Sequence, residues 1–96
     1  MSPDKQYKLN ILRVKLDKVD NQLLKLFKKR TELVKNVLSL KKYKKQIVDK
    51  KRIKIILNRI KKKSLSANID TKVTNYIWKN IIKAYIDYEK RNFKKK

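Results

Sequence analysis

Thirty residues of this chain are Lys or Arg, yet only five are arginine: Arg13, Arg30, Arg52, Arg59 and Arg91. Lysine is the common cation here, so each arginine marks a place where a planar, bidentate donor for an anion is wanted. Arg30 is the most informative. Alternate steps of four and three from Leu12 pass through Leu16, Val19, Leu23, Leu26, Arg30, Leu33, Val37 and Leu40, a helical seam of nine positions of which eight are apolar. A guanidinium inside such a seam carries a heavy desolvation cost unless an anion meets it, either an acid of the protein or a bound ligand. Arg13 lies 17 residues earlier on the same helix, about 25 Å away at ~1.5 Å per residue and too far for the two to grip one small molecule. Two antiparallel copies of the helix would bring Arg13 of one chain near Arg30 of the other and create two identical cationic pockets. Lys41 follows on nearly the same face, about 16 Å beyond Arg30. Arg52 and Glu89, the latter one turn after Tyr85, complete a set suited to a small dicarboxylate. Taken singly, Arg52 beside Asp49 also fits a helix-end salt bridge, Lys41 one solvated lysine among many, and Glu89 a surface acid offsetting lysines.

The elements that must position these groups follow from composition. The chain has 96 residues, no Gly, and Pro3 as its only proline, which removes tight hairpins and phosphate-cradling glycine loops. The reading is an all-α fold in a single domain, 1–96, with flexible ends at 1–8 and 92–96. Without Cys or His, thiol nucleophiles, imidazole bases and the usual zinc sites are excluded, which leaves metal-free chemistry or none as the expectation. No apolar run approaches the ~20 residues of a membrane span, and Met-Ser-Pro-Asp is not expected to open a signal peptide, so the cytoplasm is the expected address. The net charge of +22 calls for anionic partners. The lysines are scattered around every helix with few aromatics between them, whereas a nucleic-acid reader concentrates them, so specific nucleic-acid binding is disfavoured.

Helix 1 is read as roughly Leu9 to Lys42, about 50 Å long, against a diameter of only about 30 Å for a compact domain of this size. It overhangs its own domain, and the seam along the overhang needs a second chain. Tyr43 to Val48 loses the periodicity and reads as a connection. Asp49 caps helix 2, Lys50 to Lys63, which buries Ile53, Ile56, Leu57 and Ile60. Ser64 to Ile69 is a second loop, and Asp70 caps helix 3. That helix is expected to turn Val73, Ile77, Trp78, Ile81, Ile82, Tyr85, Ile86 and Glu89 inward.

The pattern LRxxLDxxDxxLLxLFxxRxxLVxxV over residues 12–37, Lys41, the DxxR of Asp49 and Arg52, the segment NIDTKVTNYIWKNII over residues 68–82 and Glu89 together resemble the all-helical, AroQ-type chorismate mutases. The resemblance implies three helices per chain in an intertwined two-fold homodimer, rearrangement of chorismate to prephenate, and no cofactor. It implies that Arg13 is lent across the interface and that Arg30 grips the substrate's side-chain carboxylate. It also implies that Lys41 reaches the ether oxygen, that Arg52 lines the site, and that Glu89 hydrogen-bonds the same oxygen. Asp49, Ile53 and Tyr85 occupy further substrate-binding positions.

Two residues depart from that family pattern. Ile53 stands where a Glu commonly binds the ring hydroxyl, and Tyr85 where a small Ser is common. Both resemble the related isochorismate-pyruvate lyases, which form salicylate and are the alternative enzyme; the intact DxxR and the lack of the lyase's long tail favour the mutase. A basic nucleic-acid-binding helical dimer and a structural coiled coil are the competing classes outside enzymes. A carboxyl can donate to an ether oxygen only when protonated, so turnover is expected to rise toward acid pH. The pH profile of a Glu89→Gln variant, compared with that of the native chain, checks this, and the expected outcome is a flattened profile.

Overall fold

A computed structural model describes residues 2–95. They fall into two compact units that divide between Leu33 and Val34. The elements are α1 (Pro3–Ser39), a single 3-10 turn (Lys44–Gln46), α2 (Lys50–Ser66) and α3 (Thr71–Asn92). The expected all-helical class with three helices is what is found. No helix among the described residues is long and apolar enough to cross a membrane.

The first unit consists of α1 up to Leu33. The helix begins at Pro3 rather than at Leu9, because the polar opening carries its own start signal. Ser2 Oγ accepts from Lys5 N at 3.3 Å and the Ser2 carbonyl from Gln6 N at 2.8 Å. Proline at the first helical position forfeits only an N–H that has no intrahelical partner. Asp4 sits in the first turn, where the helix dipole favours an acid, and pairs with Lys8 at 3.3 Å. Of the segments expected to be flexible, Met1 and Lys96 lie outside the described residues. No α1 residue is buried, and Leu12, Leu16, Val19, Leu23, Leu26 and Leu33 of the seam are 45–62% exposed.

In the second unit α1 ends at Ser39, short of the expected Lys42. The last turn tightens through Leu40 N to the Val37 carbonyl (3.1 Å) and Lys41 N to the Leu38 carbonyl (3.0 Å), a common way for a helix to finish. Lys41 therefore stands on the connection rather than on the helix. Within that connection lies Ile47, only 3% exposed and the one buried apolar side chain among the described residues.

α2 and α3 pack on each other. The Asp49 carboxylate accepts from Arg52 N and starts α2, whose Ile53, Ile56, Leu57 and Ile60 are half-buried as their spacing requires. The helix runs three residues past the expected Lys63, so Ser64 is not in a loop. It is buried, and its hydroxyl lies 2.7 Å from that of Thr74, also buried. This pair fixes how α3 faces α2. Thr74, Trp78, Ile81, Ile82, Tyr85, Ile86 and Glu89 turn inward to varying depths, while Val73 and Ile77, expected inside, are 52% and 44% exposed. They sit about 100° round the helix from Thr74 and Trp78.

α2 ends at Ser66 with Ala67 as its cap, and the next residue, Asn68, has a left-handed φ of 56°. Ile69 N returns to the Ser64 carbonyl at 2.9 Å and Asn68 N to the Leu65 carbonyl at 3.3 Å, the two bonds of a Schellman cap. Asparagine serves there because the chain has no glycine. Asp70 then accepts from Lys72 N and Val73 N and starts α3. Asp70→Ala should lower stability by about 1 kcal/mol, read as a reduced urea midpoint at unchanged slope.

Candidate active site

Glu89 is 6% exposed, the one acid among the described residues that is buried. An isolated carboxylate at that depth is strongly disfavoured. Lys41 Nζ donates to its Oε1 at 2.8 Å, and the two side chains are 18% and 9% exposed. Lys41 is thus no solvated lysine, and Glu89 no surface acid. Two features produce the pairing across 48 positions of sequence. α1 stops early enough to leave Lys41 on the connection, and the inward stripe of α3 reaches Glu89 in its last turns. An ammonium carries three N–H donors, and Glu89 takes one of them.

A cleft beside the pair is lined by Lys41, Gln46, Val48, Asp49 and Lys50. Asp49 has a structural duty there: its Oδ1 accepts from Arg52 N at 3.0 Å. The Arg52 side chain is exposed, and among the described residues it makes no ion pair with Asp49, so the helix-end salt bridge is not formed. Ile53 is half-buried on α2, one position after Arg52. Tyr85 is half-buried on α3, edge-on to Tyr88 with ring centres 6.4 Å apart. Arg13 and Arg30 belong to the first unit; Arg13 is exposed and Arg30 half-buried. Arg30 is thus less exposed than Leu26 and Leu33, the apolar seam residues on either side of it.

Gln46 and Lys50 were not singled out from the sequence. The available signal was weak: Gln46 is the third residue after Tyr43, the spacing at which a Gln side chain folds back onto the backbone at the start of a helical turn.

What the second unit offers chemically is a fixed ammonium next to a buried carboxyl at the edge of a cationic cleft. Such groups hold a small anion and stabilise charge on an oxygen. The sequence model of one family, described as chorismate mutase type II, matches residues 12–90. The chain belongs to the chorismate mutase type II family. It is therefore an enzyme of the chorismate mutase class, an isomerase of the aromatic amino-acid pathway that moves a group within one molecule. No curated protein and no solved structure matches the chain. Arg13, Arg30, Lys41, Asp49, Arg52, Ile53, Tyr85 and Glu89 all lie within the stretch that the family covers.

The ion pair itself is open to measurement. Lys41→Met leaves the Glu89 carboxylate buried without its cation and should cost about 3 kcal/mol, most of it recovered by adding Glu89→Gln, because removing one partner is worse than removing both charges. Urea unfolding of the single and double variants gives the comparison.

Proposed function

We propose that the protein converts chorismate to prephenate, and that Lys41 and Glu89 act at the ether oxygen whose bond to carbon breaks. The reaction is a concerted pericyclic shift: one C–O bond opens as one C–C bond closes, and no proton is transferred. A protein without histidine or cysteine can therefore catalyse it. The substrate must be held in its compact reactive conformer, which gripping its two carboxylates achieves by orientation. Negative charge growing on the ether oxygen must also meet preorganised donors. Lys41 supplies such a donor at once; Glu89 supplies a second when protonated and otherwise holds the ammonium in place. Arg30 takes the side-chain carboxylate, Arg52 lines the site, and Asp49, Ile53 and Tyr85 border the ring.

The observation that carries this reading is the 2.8 Å contact of Lys41 with the buried Glu89, in a chain of the chorismate mutase type II family. The functional form is an intertwined homodimer in which the partner's Arg13 closes each site. Support comes from the uncovered seam of α1: burying half-exposed leucines contributes on the order of 1 kcal/mol each, and a second copy of the same stripe is complementary to it. Loss of turnover of chorismate to prephenate in Arg30→Ala, with the helical content unchanged, is the direct test.

Mixing tests the shared site. Arg13→Ala and Arg30→Ala should each be inactive, and co-refolding them in equal amounts should restore about a quarter of native activity, because each mixed dimer regains one intact site. No recovery would contradict the lending of Arg13. The apolar Ile53 and the bulky Tyr85 favour one second reading, an isochorismate-pyruvate lyase; salicylate formed from isochorismate, with no prephenate from chorismate, would establish it instead.

A further inference from the structure

Lys41 is a flexible side chain on a non-helical segment, yet it points at one buried oxygen. Something must hold that segment. α1 releases it at Ser39, and the next regular backbone is the single turn at Lys44. In between, two successive N–H groups, those of Lys42 and Tyr43, both donate to Gln46 Oε1 at 2.8 Å. Gln46 N in turn donates to the Tyr43 carbonyl at 3.0 Å, and Ile47 N to the Lys44 carbonyl at 3.1 Å. Ile47, next in sequence, is the buried apolar anchor of the connection.

The Gln46 amide oxygen therefore closes a small ring over residues 42–46, directly after Lys41. Two N–H donors converging on one atom require an acceptor, which fixes the oxygen as that end of the amide. The Lys42 and Lys45 ammonium groups lie 5.8 and 5.6 Å from the centre of the Tyr43 ring and add to the local folding. Gln46 also lines the cleft with Lys41.

We propose that Gln46 is a positioning residue for Lys41: its side-chain oxygen clasps the backbone that follows the lysine and so aims the ammonium at Glu89 and at the substrate's ether oxygen. This rests on the mutase reading above for its catalytic part and on the hydrogen bonds alone for its structural part. A displacement of ~1 Å in a catalytic donor can lower a rate about 100-fold.

Gln46→Met, which keeps length and loses the acceptor, should lower kcat by roughly 10- to 100-fold with little change in KM. Gln46→Glu, which keeps an acceptor at the same reach, should recover most of that loss. In a Lys41→Met background, Gln46→Met should cause no further loss of kcat, since there is no ammonium left to aim. Amide hydrogen exchange gives a second measurement that does not depend on turnover: Lys42 and Tyr43 should exchange at least 10-fold faster in Gln46→Met, with α2 and α3 unaffected. The proposal is overturned if Gln46→Met retains native kcat, if it lowers kcat by the same factor with and without Lys41, or if exchange at Lys42 and Tyr43 does not change. If the native chain turns over neither chorismate nor isochorismate, the reaction assignment fails, while the exchange comparison still decides whether Gln46 clasps the segment.

Discussion

A carboxylate held out of water in a chain of net charge +22 needs a local cation, since distant lysines are screened within about 10 Å at ordinary salt. Glu89 meets this requirement through Lys41, and much of the second unit can be understood from that contact. α1 has to end before Lys41, the connection has to turn back within a few residues, and α3 has to present its last turns inward. Each of these is a local feature with its own cause: the tightened last turn of α1, the Gln46 clasp, and the face of α3 chosen by Ser64 and Thr74. None of them alone would place the ammonium.

The same contact bears on the chemistry. An ion pair between protein groups is worth less to catalysis than a cation waiting for substrate, because its field is partly spent. Lys41 keeps two donors beyond the one given to Glu89, and a buried partner at 2.8 Å limits where they can point. The pair thus exchanges some electrostatic strength for direction. For the proposed rearrangement, in which charge develops on one oxygen and no proton has to be moved, that exchange is favourable.

The helices were legible in the sequence because each has a strong signal of its own: the leucine seam for α1, and Asp49 and Asp70 as caps for α2 and α3. Lys41 and Glu89 could also be named, though from spacing and family likeness rather than from any sign that they touch. The features that escaped are those whose signals are polar or tertiary. The start at Pro3 is carried by Ser2, Pro3 and Asp4, in a stretch whose lack of apolar periodicity hides it. Ser64 and Thr74 look like surface residues until their hydroxyls are seen to satisfy each other, and that bond rotates Val73 and Ile77 outward. Ile47 looks like one apolar residue in a basic connection, but it anchors that connection.

The exposed seam of α1 and the half-buried Arg30 within it raise a question of energetics rather than of pattern. Leucine at that position would be the stabilising choice for any interface along the stripe, since a guanidinium brings a desolvation cost that leucine does not. Lysine would be the economical cation, able to lean its ammonium into water along an aliphatic stem. Arginine is the residue that binds a carboxylate bidentately while tolerating partial burial. Under the proposed shared site, arginine at this position gives up some association energy for a rigid anion grip, which is the trade required if the same stripe that joins two chains must also hold the substrate.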